Sequence, residues 1–323
     1  MPATVTHAFF SEDVYDILPI EVKENVNLGR FRMFSQSFDS LIFYNILNFK
    51  DGKPIRKFQS ETHKYKTQEF FLNLINYIKD NNLYSDSEVK SFLYGFICHF
   101  VLDSTVHPYV IYRTGLFNKN NKETYKYNNL HSFMEVFLDN DMIRRRLKIN
   151  PYTFKFSKYC FDLDKFSDTL NSTINYTFFN TYRMYNGANI YYNSLKHMNL
   201  FLKLFRSDRF GFKRDIYKLI DTFTSNKRFR FEALSYYYPL KDRHDFLNNQ
   251  KVLWHNPADY KITSNESYID LYLKAIKTAK EKIIKVDNYM NGKRIELKKV
   301  FPTADYYTGL DYATFEDIKY FEF

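Results

Sequence analysis

The 323-residue chain has only two cysteines, Cys98 and Cys160. Two thiols make neither a disulfide framework nor a cysteine-ligated zinc site. It has eight glycines and eight prolines. So few breakers among many long apolar residues suit long helices better than a many-turned β fold. No run of 18 apolar residues occurs, so no membrane-spanning helix is expected. The first residues include Glu12, Asp13 and Asp16 rather than a basic segment followed by an apolar one. No secretory signal is expected there, and the cytoplasm is the default compartment. No glycine-rich phosphate loop is visible.

Aromatic residues are plentiful, at 20% of the chain, with 34 Phe and 29 Tyr. Core packing accounts for most of them, although they also suffice for a cation cage or a base-stacking platform. The net charge is +10. The bases are dispersed, apart from short clusters such as Arg144, Arg145, Arg146 and Lys148. They read first as a solvated surface, and they admit an anionic partner such as a membrane surface, a nucleic acid or a phosphate ester.

Hydrophobic spacing predicts helices over 68–80, 86–106, 130–147, 191–205, 214–224 and 267–290. Ser85 followed by Glu88 has the spacing of a capping box for the second of these. Its end is expected at His107-Pro108, because a residue before proline is pushed out of the α region. Residues 114–129 are polar and read as a loop, and Trp254-His255-Asn256-Pro257 reads as a turn. No repeat or linker divides the chain. The expectation is one all-α domain over residues 1–323, with an irregular C-terminal extension over 290–323.

Five of the eight histidines lie between residues 7 and 131. His99 and Asp103 are four apart on one helix, so they share a face. His107 follows four residues later, and His131 and Glu135 repeat the spacing on the next helix. Composition alone places about one carboxylate at i+4 from eight histidines, and three are present, after His99, His131 and His255. More telling is one aspartate flanked by histidines four residues away on both sides. Neutral imidazoles and carboxylates on facing helices are the donors that zinc takes inside a helical bundle. His7, Asp39 and His63 carry no signal singly, and Asp39 reads equally as a helix cap. His197, His244 and His255 lie outside these motifs and are assigned no role.

Taken in order, these segments resemble the bacterial zinc-dependent phospholipase C family, which is related to the single-strand-specific zinc nucleases. The stretch from Tyr94 to Pro108 resembles the family's His-xxx-Asp helix followed by a His-Pro step. His131-xxx-Glu135 resembles its His-xxx-Glu pair, and Gln36 with Asp39 its Gln-x-x-Asp segment. His63 and His7 fall where the family has further histidines. The motifs cover about residues 5–140.

The resemblance implies an all-α multi-helix bundle of the phospholipase C and zinc nuclease type, with a trinuclear zinc site. Carried over, Asp39, His63, His99 and Asp103 would hold one zinc, and His107, His131 and Glu135 a second. His7 and the bridging Asp103 would hold a third, together with the N-terminal residue. Secreted members begin, after processing, with a zinc-binding Trp, whereas this chain begins Met1-Pro2. The expectation is therefore two or three Zn2+ ions. The implied activity is hydrolysis of a phosphoester by metal-activated water, with Asp39 as the catalytic residue that orients or deprotonates the water. The implied partners are a phosphoester substrate such as a phospholipid head group and a peripheral membrane surface, with nucleic acid ranked behind them. Two alternatives stand beside this reading: a metal-stabilised binding or structural protein without activity, and a zinc-dependent nuclease.

Overall fold

The computed structural model describes residues 4–46, 50–118, 120–206, 208–223, 231–236 and 245–322. Met1, Pro2, Thr224 and His244 lie outside them. The helices in chain order are α1 (Thr4–Ile17), α2 (Ile20–Lys23), α3 (Leu28–Phe34), α4 (Lys53–Lys64), α5 (Thr67–Asp80), α6 (Ser87–Thr114) and α7 (Leu130–Leu147). They continue with α8 (Phe156–Cys160), α9 (Asp168–Tyr182), α10 (Gly187–Phe201), α11 (Phe212–Phe223), α12 (Tyr268–Met290) and α13 (Leu297–Val300). The strands among the described residues are a two-residue antiparallel pair, with Trp254 opposite Ser264 and His255 opposite Thr263. The protein is an all-α bundle, as its composition and periodicity predict. The turn expected at Trp254 is instead one arm of that short pair.

Helix α6 is the axis. It is buried on nearly every side from Val89 to Asp103, as expected of a helix apolar all round, and α1, α3, α7, α9 and α12 pack around it. Gly95 sets the closest approach. A Cβ there would stand 2.7 Å from the Phe34 carbonyl carbon, so the backbones of α3 and α6 touch at this point. α5 buries the predicted stripe of Phe70, Phe71, Leu74, Ile75 and Ile78. α7 spans the predicted residues.

Two details of α6 correct the sequence reading. Its N-cap is Asp86, whose side chain accepts from Val89 N at 3.0 Å. Glu88 turns away to pair with Arg30 at 2.9 Å and to accept from Ser167 N at 2.8 Å. The helix also runs through Pro108 to Thr114. Proline biases the preceding residue and removes one helical donor, but Tyr109, Val110 and Ile111 are buried, and that packing carries the helix on. The acceptor left by the missing donor is the Ser104 carbonyl. Gly309 packs on it so closely that a Cβ would stand 2.2 Å from the Ser104 oxygen, and the φ of +66° at Gly309 suits glycine.

Candidate metal centre

Because α6 is continuous, His99, Asp103 and His107 lie one turn apart along one buried face. Asp103 stands in the middle. Its Oδ2 lies 3.3 Å from His99 Nε2, 3.7 Å from His107 Nδ1 and 3.8 Å from His63 Nε2, and its Oδ1 lies 3.4 Å from His7 Nε2. α1 delivers His7, whose ring stacks on His99 at 4.3 Å. The 3-10 turn Ser37–Phe43 delivers Asp39, and Gln36 just before it ties the turn to α1 by donating to Thr4 O at 3.0 Å. α4 delivers His63, whose Nε2 lies 3.0 Å from Asp39 Oδ1. α7 delivers His131 and Glu135, joined at 2.9 Å.

These side chains form two donor groups. One atom from each of His7, Asp39, His99 and Asp103 falls within 4.8 Å of the others, and His107, His131 and Glu135 form a second such set. Asp103 of the first set also approaches His107 of the second, and His63 joins the first through Asp39. All eight candidate ligands are therefore gathered at the middle of α6. His197 and His255 hold structural bonds elsewhere: His197 Nδ1 accepts from Asn45 N at 3.2 Å, and His255 Nδ1 donates to Tyr260 O at 2.9 Å.

Three of the imidazoles are oriented by backbone carbonyls. His63 Nδ1 donates to Gln59 O, His99 Nδ1 to Ser35 O and His107 Nδ1 to Tyr306 O, each at 2.9 Å. A carbonyl only accepts, so in the neutral ring each Nδ1 carries the proton and each Nε2 offers its lone pair. Such outer bonds fix the tautomer and orientation of metal-ligating histidines. The close approach at Gly95 is what brings Ser35, at the end of α3, within reach of His99.

The electrostatics fit a cation. Burial lowers His7 to about 4, with Asp39 opposing in part, and lowers His99 to about 4, with Asp103 opposing. Burial likewise holds His107 well below its usual range. These rings are neutral at pH 7. Against the upward push of burial, His99 and His63 hold Asp39 below the ordinary carboxylate range. Against the downward push of burial, the hydrogen bond and charge of Asp39 raise His63. Burial raises Asp103 to about 6. Both ring nitrogens of His7 and both oxygens of Asp103 are buried without a hydrogen-bond partner among the described residues. The Nε2 atoms of His63 and His99 face each other at 3.4 Å. Buried carboxylates beside lone pairs that converge on common points are costly unless a cation sits there. Nitrogen and oxygen donors in this mix suit zinc.

The sequence reading missed the C-terminal segment, which closes one side of the centre. Tyr306 N donates to His63 O at 3.0 Å, and the Tyr306 ring lies 4.7 Å from the ring of His63. The Tyr307 ring stacks on His107 at 5.6 Å and lies 6.0 Å from His63, so it spans the two donor groups. Burial raises the hydroxyl pKa of both tyrosines, and both stay protonated at neutral pH. These contacts join residues about 200 to 245 positions apart in an irregular segment, where no periodicity signals them.

Fold and site together define a helical bundle with a largely buried cluster of histidines and carboxylates that could hold metal ions. The sequence profile for zinc-dependent phospholipase C matches residues 6–200, and the chain belongs to that family. No curated protein and no solved structure matches it. No helix among the described residues is long and apolar enough to cross a membrane.

Proposed function

We propose that the protein is a zinc-dependent phosphoesterase of phospholipase C type, hydrolysing a phosphodiester with activated water. The observation that carries this reading is Asp103, a fully buried carboxylate of the first donor set that has no hydrogen-bond partner among the described residues and also lies 3.7 Å from His107 of the second. Asp39, His63, His99 and Asp103 would hold one zinc, and His107, His131 and Glu135 a second. His7 with Asp103 would contribute to a third. Zinc bound there would acidify a coordinated water and neutralise phosphoryl oxygens.

In this reading Asp39 orients or deprotonates the water. His63 Nε2 lies 3.0 Å from its Oδ1, and Gln59 Nε2 donates to the same oxygen at 3.2 Å. That leaves Oδ2, on the His7 side at 3.9 Å, as the atom to orient or deprotonate water. Its depressed pKa keeps it ionised, which suits orienting the water as a hydrogen-bond acceptor. The side chain of His131 is 29% exposed while the other histidines of the centre are fully buried. A substrate therefore enters beside α7. That open side favours a hydrolase over a closed structural site. Tyr307, lying against His63 and His107, forms a wall for the bound ester.

The test is hydrolysis of a soluble phosphodiester, p-nitrophenyl phosphorylcholine, by the purified protein. Activity lost to a chelator and restored by zinc supports the reading. Full zinc occupancy without hydrolysis would favour the metal-stabilised, non-catalytic alternative. Cleavage of single-stranded DNA instead would favour a nuclease.

A further inference from the structure

Helix α11 is amphipathic with its faces reversed. Its polar side is the side bonded to the protein. Arg214 Nε donates to Glu232 at 3.1 Å, Tyr217 OH donates to Phe205 O at 3.0 Å, and Asp221 accepts from the backbone N–H groups of Phe231 and Glu232. Asp208 caps its start by accepting from Lys213 N and Arg214 N. The apolar residues Phe212, Ile216, Leu219, Ile220 and Phe223 recur at i, i+4, i+7, i+8 and i+11, one continuous stripe. Phe212 is 71% exposed, Leu219 59% and Phe223 81%, and Phe210 just before the helix is 80% exposed. Single exposed apolar residues are ordinary, but a contiguous stripe marks an interaction site.

Exposed Lys203 and Arg209 accompany this stripe, against the exposed acid Asp215, in a chain of net charge +10; exposed Lys218 lies toward the polar side, paired with Glu232. An apolar stripe with bulky aromatics at both ends and bases beside it matches an anionic lipid surface: the side chains enter the acyl boundary and the bases meet the head groups. The polar side of α11 is also tied to the start of α7. Glu232, which pairs with Arg214 and, at 3.6 Å, with Lys218, lines a surface cleft with Asn129, Leu130 and Phe133. Leu130 and Phe133 lie on either side of the part-exposed candidate ligand His131 in sequence.

We infer that α11 is a membrane-docking helix that lays its apolar stripe on an anionic bilayer and holds the His131 side of the centre near the lipid surface. The inference rests on the proposed phosphoesterase reading for its substrate class, a phospholipid, while docking itself is independent of catalysis. The test is co-sedimentation of the full-length protein with vesicles of phosphatidylcholine and phosphatidylserine (7:3), comparing wild type with the double variant Leu219→Glu/Phe223→Glu. Both replaced side chains are exposed, so the fold is retained; zinc content and turnover of p-nitrophenyl phosphorylcholine at wild-type values verify this. Wild type should bind the vesicles, less tightly at high salt, and the variant should bind at least tenfold more weakly. Absence of wild-type binding, or equal binding by the variant, overturns the inference. A wild-type dimer in light scattering that becomes monomeric in the variant also overturns it, assigning the stripe to a second copy of the chain. Absence of phosphodiester turnover in both proteins, with vesicle binding by the wild type and its loss in the variant, would refute the catalytic reading and leave docking standing.

Discussion

The Asp103 carboxylate lies 3.3 Å from the imidazole of His99, one helical turn before it, and the same oxygen lies 3.7 Å from His107, one turn after. One side chain of the first donor group thereby also approaches a histidine of the second. Asp103→Asn keeps the shape and removes the charge. Zinc content should fall to one ion or none per chain, measured by elemental mass spectrometry. His255→Ala, a change at a histidine bonded elsewhere, should leave it unaltered. Equal zinc in Asp103→Asn and wild type would remove Asp103 from the site.

Gly95 allows α3 to rest directly on α6. Gly95→Ala places a methyl group where Phe34 stands and should destabilise the fold by about 1–3 kcal/mol, the usual cost of overpacking. Urea denaturation measures this. The displaced α3 also moves Ser35 from His99, so zinc affinity should fall as well. An unchanged midpoint would mean that the helices part without cost.

The metal-free protein should lose stability as pH falls from about 6.5 to 4. His7 and His99 titrate at about 4 in the fold against an ordinary 6.5. Between those values the unfolded chain binds more protons, so stability rises with pH across the window. His107 acts in the same direction. Asp103, raised to about 6 from 3.8, acts in the opposite sense, with stability lost as pH rises from 3.8 to 6, and one such group offsets part of the slope. Thermal melts of chelator-treated protein should show Tm rising from pH 4 to pH 6.5. A flat profile would contradict neutral, buried histidines.

Tyr307 spans the two donor groups with its ring. Tyr307→Ala should lower kcat/KM for a soluble phosphodiester about tenfold, a loss of about 1.4 kcal/mol of transition-state binding, with zinc content unchanged. Tyr307→Phe, which keeps the ring, should retain most of the activity. Loss of zinc in Tyr307→Ala would assign the ring to holding the histidines rather than the substrate.

The centre was legible in the sequence where its residues share a helix. The i, i+4 spacing of His99, Asp103 and His107, and of His131 and Glu135, follows from helical geometry. His7, Asp39 and His63 carry no local pattern, and only their resemblance to the family in order and context picked them out. The continuation of α6 through Pro108 was not legible, because burial of Tyr109 to Ile111 decides it against the local bias of proline. The closure by Tyr306 and Tyr307 was hidden for a similar reason. It depends on backbone groups, the Tyr306 carbonyl and the glycine at 309, whose partners lie across the fold. The outward stripe of α11 was readable as a helix, but its orientation was not, since the same period serves a helix facing the core.

The most direct test of the central claim is zinc content per chain, by elemental mass spectrometry, on protein purified without added metal. The two donor groups predict two or three zinc ions. One ion or none in a folded protein would contradict the phosphoesterase account and return His7, Asp39, His63, His99, Asp103, His107, His131 and Glu135 to ordinary polar residues.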